Sequence, residues 1–330
     1  LSQSRVPLLD LEAIYEPISQ ALARTEEVIT RELAADGEYA GEVAKALIQG
    51  KGKRLRPALL LFSARVDCFP SQASYVAAAA MEMIHVATLV HDDVIDEAAL
   101  RRDEKTVNSV FGNKIAILLG DFLYAKASNM LSSLGDAKLL QWISNATTQM
   151  CLGEFTQAYL RETPNLSEAY YLELIHKKTA RLIAACCQSG AYLARASKEE
   201  QELLYQFGLN FGMAFQIVDD YLDITGDEKT LGKPCGLDLL RGKVTLPIID
   251  LYHSLPEQKD FLERLYTVGI QNGEMRKLKD LLVESGSLER AMNRARGYMN
   301  AAKENLEKME EWPARESLLM LADYVLLRQR

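Results

Sequence analysis

The sequence is poor in the residues that interrupt helices, with 9 prolines and 19 glycines among 330 residues. They stand mostly where helical patterns end, and no Pro-rich or Gly/Ser-rich linker divides the chain. Runs of β-branched alternation long enough to require a sheet are also missing. Cysteine is scarce: the five, at positions 68, 151, 186, 187 and 235, lack paired metal-ligand spacing. Their odd number in apolar surroundings fits a reducing, cytoplasmic compartment. No apolar stretch reads as a membrane span, because charges such as Asp121 and Lys126 break the longest ones, and residues 1–21 lack signal-peptide architecture. Basic charge is in deficit, with 38 Lys and Arg against 46 Asp and Glu for a formal charge of -8, which argues against nucleic acid as a partner.

What is present is apolar residues at helical spacing almost from end to end. The reading is an all-α fold, a helical bundle forming one domain over residues 1–330, with no repeat of solenoid period. Pro57 suits the first turn of PALLLFSARV. Long helices are predicted over 72–97, 113–134, from Ser167 as N-cap to about 195, and over 200–225. Shorter helices follow Gly242, with breaks near Pro256, Gly273, Gly286 and Pro313.

Two acidic clusters stand out, HDDVID at 91–96 and VDDYLD at 218–223. A helix turns about 100° per residue, so Asp92 and Asp96 share a face, as do Asp219 and Asp223, while Asp93 and Asp220 point elsewhere. Carboxylates at this spacing hold Mg²⁺, which completes its shell with water and substrate phosphates. Both clusters lie in apolar sequence, ATLVHDDVID and AFQIVDDYLD, where solvated surface pairs are not expected. Met81, His85, Thr88, Asp92 and Asp96 form one stripe; Gly212, Gln216, Asp219 and Asp223 form another, with Gly212 permitting close approach of a neighbour. If the stripes pack face to face, four carboxylates converge, and their repulsion requires bound cations. Basic residues concentrate in GKGKRLRP (50–57), LRR (100–102), HKK (176–178) and LGKPCGLDLLRGK (231–243), segments suited to lining one phosphate-binding pocket.

Taken in order, GKGKRLRP, LVHDDVIDEAALRR, KKTA, FQIVDDYLD and LGK…GLDLLRGKVTLP resemble the motifs of the trans-isoprenyl diphosphate synthases, or polyprenyl synthetases. The resemblance implies an isoprenoid-synthase-like bundle with a central cavity, which joins an allylic diphosphate to isopentenyl diphosphate with three Mg²⁺, usually as a homodimer. It implies metal ligation by Asp92, Asp96 and Asp219, assisted by Asp223 and Asp220. Arg101, Lys178, Lys233 and Lys243 are implied to grip the allylic diphosphate, and Lys53, Arg56, His85 and Arg102 the isopentenyl diphosphate. Thr179 and Gln216 are implied to turn oxygen dipoles toward the allylic cation. The chain departs from the family pattern at Lys51, at Asp103 to Lys105, and at Arg241, beside the implied ligands rather than on them.

The stripe below Asp92 offers a ruler, since a turn rises about 5.4 Å, close to one extended isoprene unit. Small Ala87 and Thr88, with Ala80 and Met81 further down, predict a product of six to ten units, as in long-chain members that make quinone side chains. A short-chain synthase and a non-catalytic subunit of a heteromeric synthase are the alternatives. A class I terpene cyclase would have no use for the second diphosphate cradle.

Overall fold

The computed structural model describes residues 10–35, 41, 43–44, 52–64, 70–101, 104–160, 165–226, 236, 239, 242–269 and 273–328. Two short elements, α1 (Leu11–Tyr15) and a 3₁₀ turn, lead into α2 (Ser19–Ala34). After α3 (Leu55–Ser63) comes α4 (Gln72–Ile95), opened by Ser71, whose hydroxyl accepts the Ser74 amide. Strands β1 (Leu100–Arg101) and β2 (Glu104–Lys105) pair antiparallel, with Leu100 opposite Lys105. Next are α5 (Val107–Phe111), α6 (Asn113–Ser133) and α7 (Ala137–Tyr159), the last capped by the Asp136 carboxylate. Helix α8 (Glu168–Ile175) widens into a π-helical turn at His176–Ala180 before α9 (Arg181–Leu193). Helix α10 (Lys198–Thr225) starts from a full capping box of Ser197 and Glu200. The remainder comprises α11 (Leu246–Ser254), α12 (Lys259–Val268), α13 (Glu274–Glu284), α14 (Ser287–Glu307) and α15 (Pro313–Leu327).

The all-α expectation holds, and the long helices fall within a few residues of their predicted bounds. Two differences have local causes. Two-residue strands carry no periodicity for a pattern to reveal, and the predicted helix from Ser167 is interrupted by the π turn. Ser167 precedes α8 as expected but makes no side-chain cap.

Helix α4 runs through the middle of the bundle against α2, α3 and α6, while α10 packs on α9 and α14. Its composition and length would let α4 cross a membrane, but 72% of its most apolar window is buried inside the fold, so it is a core helix. The main core joins Leu59 and Phe62 of α3, Met83 and Ile84 of α4, Phe207 and Phe211 of α10 and Leu318 and Leu321 of α15. Each such side chain contributes about 1.5–3 kcal/mol on burial. A second cluster, around Ile248, Leu251, Leu262, Leu278 and Leu282, holds α11, α12 and α13 together.

Candidate active site

In the middle of α4 nearly every position is buried, yet His85, Thr88, Leu89 and Asp92 remain partly exposed. Their spacing of three, one and three residues puts them on one stripe, which therefore faces an opening. Met81, at 0% exposure, lies further down the same face, and Ala87, at 2%, is buried beside it. Thr88 donates its hydroxyl to the His85 carbonyl at 2.7 Å.

At the upper end, the three aspartates of the first cluster have separate environments. Burial pushes the Asp92 carboxyl up to about 6, with Glu154 adding repulsion and Lys178, Lys243 and Arg101 opposing both. Asp96 accepts from the Lys243 ammonium at 2.7 Å. Asp93 is buried and accepts from Arg101 Nε at 2.9 Å, tying the hairpin to the helix end. The Thr106 hydroxyl and the Asn108 amide both donate to the Ala98 carbonyl, while the helix terminates through Glu97 in the left-handed region at φ 49°. A non-glycine residue there is strained, and hydrogen bonds on both sides hold it.

The second cluster sits on α10. Asp219 is half-exposed and pairs with Arg328, whose guanidinium also lies 4.2 Å from the Phe215 ring centre and donates to the Phe215 carbonyl. Asp220 and Asp223 are buried. Tyr171 donates its hydroxyl to Asp220 Oδ2 at 2.6 Å, and the Gln216 amide donates to Oδ1 at 2.8 Å. Thr179 in turn donates to Gln216 Oε1 at 2.7 Å. This chain fixes the Gln216 amide and commits the Thr179 proton inward, leaving the hydroxyl oxygen as an acceptor.

The π turn places Lys178 and Thr179 between α7 and α10. Small residues make that possible: a Cβ on Gly153 of α7 would come within 2.7 Å of Lys178 Cγ, and one on Gly212 of α10 within 2.5 Å of Ala180 Cα. Lys178 is held by the Glu154 carboxylate and by Gln157 Oε1 at 2.5 Å. Beside it a cleft is lined by Gln157, Tyr171, Leu174, Gly242 and Val244.

Helix α9 contacts both α4 and α10. Among the described residues no three carboxylate, imidazole or thiolate side chains lie close enough to hold one ion. Asp96 and Asp219 each already carry a cationic side chain, Lys243 and Arg328.

On a third side lies the turn at 52–56. Arg56 is partly buried, with its Nε enclosed and without a hydrogen-bond partner. Burial lowers its pKa, which Cys186, Glu82 and Asp219 oppose. The Lys53 ammonium stands 5.8 Å from the Tyr324 ring centre. Lys233 and Arg102 lie outside the described residues. The side chains missed by sequence reasoning are the partners: Glu154 and Gln157 for Lys178, Tyr171 for Asp220, and Arg328 for Asp219. Only Arg328 had a sequence signal, as a terminal cation following the apolar helix LADYVLL.

Residues 38–284 match the polyprenyl synthetase family. The chain is 36% identical to octaprenyl diphosphate synthase of Escherichia coli over 327 residues, 98% of this chain and 100% of that one. Heptaprenyl diphosphate synthase component 2 of Geobacillus stearothermophilus is also 36% identical, over 96% of this chain and 98% of its own. Among solved structures, a polyprenyl synthase from Caulobacter crescentus complexed with calcium and isoprenyl diphosphate superposes with a TM-score of 0.91 and 34% identity, covering 97% of this chain and 98% of that one.

Proposed function

The chain belongs to the polyprenyl synthetase family, and on that premise we propose that it is a trans-prenyltransferase condensing an allylic diphosphate with isopentenyl diphosphate, head to tail and repeatedly. The product is a polyprenyl diphosphate of six to ten isoprene units. One observation carries the reading: Lys178, Lys243 and Arg101 bring positive charge to Asp92 at the end of the partly exposed α4 stripe, the charge complement of a diphosphate held through a bound cation.

The donor set fits magnesium. Asp92, Asp96 and Asp219 are hard oxygen ligands on partly exposed faces, and Lys243 and Arg328 occupy positions where positive charge is already favoured. Three Mg²⁺ held by these residues, with Asp223 behind them, would neutralise negative charge on the departing diphosphate. Lys178, fixed by Glu154 and Gln157, supplies preorganised charge at the same place, as do Lys243 and Arg101. Lys233 has the same proposed role. The Thr179 oxygen and the Gln216 dipole stabilise the allylic cation without offering a nucleophile. Lys53, Arg56, His85 and Arg102 orient the second diphosphate, whose double bond attacks the cation; the released diphosphate removes the proton.

The partly exposed stripe beneath Asp92 receives the growing chain. Met81 lies further down that face, 11 residues below Asp92, about 16 Å at 1.5 Å per residue, or roughly three isoprene units. A longer product therefore requires its flexible thioether to swing aside. Homodimerisation is supported by apolar side chains left exposed on α6 and α7, including Leu118, Leu152, Phe155 and Tyr159. Cys186 and Cys187 are adjacent free thiols, in keeping with a cytoplasmic location.

A second reading makes the chain one component of a heteromeric synthase, favoured by the similarity to a synthase component and by the same exposed face. Incubating the purified chain alone with farnesyl diphosphate, excess isopentenyl diphosphate and Mg²⁺ separates the readings. Products of 30 to 50 carbons are expected. Absence of any product favours the component reading, and arrest at 15 or 20 carbons contradicts the chain length.

A further inference from the structure

Glu82 is a charged residue in the buried part of α4, 4% exposed, and no role in metal or substrate binding falls to it. Its carboxylate accepts from Arg54 Nη1 at 3.1 Å, and Arg54 Nε reaches Glu26 of α2 at 3.2 Å. Arg54 is itself unusual. It sits at the entrance to α3 in the left-handed region, at φ 49° and ψ 32°, which costs energy for a residue other than glycine. The turn folds closely over this ion pair: a Cβ on Gly52 would stand 3.0 Å from Arg54 Nη1 and 3.8 Å from Glu82 Oε1. Lys53 and Arg56, one residue before Arg54 and two after it, are the cations of the proposed second diphosphate site. Glu82 also lies three residues before His85, on the same side of α4. A buried ion pair is weak evidence for stability, because desolvation offsets its attraction, so its worth here must lie in geometry.

We propose that Glu82 is a positioning residue for the second diphosphate: by holding Arg54 in its strained conformation it fixes the 52–56 turn, and so the directions of Lys53 and Arg56 relative to His85. This rests on the reading that Lys53 and Arg56 bind isopentenyl diphosphate. The carboxylate works at a distance from the reacting atoms, and its effect falls on one substrate only.

The test is steady-state kinetics of the full chain with each substrate varied in turn, alongside thermal melting. Lys53→Ala comes first, as the reference for the underlying reading, and must raise KM for isopentenyl diphosphate. Glu82→Gln, which removes the charge while keeping the shape, is expected to raise that KM roughly tenfold and to leave KM for the allylic diphosphate within about twofold. Arg54→Lys keeps a charge but loses the fork joining Glu82 to Glu26, and a smaller rise confined to the same substrate is expected. If Glu82→Gln does not fold, Arg54→Lys decides. A lowered Tm with both KM values unchanged, or an equal rise in both, overturns the proposal while the underlying reading stands. No effect of Lys53→Ala overturns both.

Discussion

The two acidic clusters have the same sequence spacing but different surroundings. In the first, Asp92 and Asp96 are partly exposed on one stripe, and the intervening Asp93 is consumed in anchoring Arg101 and the hairpin. In the second, only Asp219 is half-exposed; Asp223, its partner by spacing, is 2% exposed, and Asp220 belongs to a chain through Gln216 to Thr179. One turn of helix thus makes a two-carboxylate face on α4 and a one-carboxylate face on α10. What surrounds a helix decides which of its aspartates meet a ligand.

The comparison sharpens most under charge removal. Asp92→Asn and Asp219→Asn are each expected to lower kcat by about 10²–10³, the usual scale for an electrostatic group at the reacting centre. Asp220→Asn, acting through Gln216, should cost roughly tenfold, with a lowered Tm. Equal losses in all three, measured as elongation rate, would erase the distinction between the clusters.

Gly212→Ala tests the packing that places Thr179 beside the second cluster. The added Cβ meets Ala180 Cα at 2.5 Å, backbone that cannot simply rotate away, so about 1–3 kcal/mol of stability and several-fold in kcat should be lost. Retention of both would show that the π turn has slack.

The smallest effect separates the clusters by pH. Because burial raises Asp92 from 3.8 to about 6, the metal-free native state holds its proton more tightly than the unfolded chain. That stabilisation is complete below about pH 3.8 and is lost as pH rises through 6. Melting of metal-free Asp92→Asn should therefore exceed wild type by a few degrees at pH 7.5, with the gap closing at pH 4.5. A gap that widens toward acid would contradict the assignment.

Much of this was legible in the sequence because helix signals are local. The apolar periodicity, with prolines and glycines as breaks, gave the long elements to within a few residues, though Ser167, the one N-cap read from the sequence, makes no side-chain cap, and the i, i+4 rule singled out both aspartate pairs. Partnerships were not legible: Lys178 meets Glu154, Tyr171 meets Asp220 and Arg328 meets Asp219 across 24, 49 and 109 positions, and no local pattern encodes such distances. The burial that separates Asp223 from Asp219 likewise comes from neighbouring helices. So does the π turn, which is accommodated by glycines on two other elements.

The most direct test of a diphosphate clamp spanning both clusters is equilibrium binding, by titration calorimetry, of an unreactive thiolo analogue of farnesyl diphosphate in the presence of Mg²⁺. Wild type should bind with magnesium and not without it, and Asp92→Asn and Asp219→Asn should each lose most of that binding. Wild-type affinity in either variant would show that one cluster alone holds the diphosphate and would contradict the clamp.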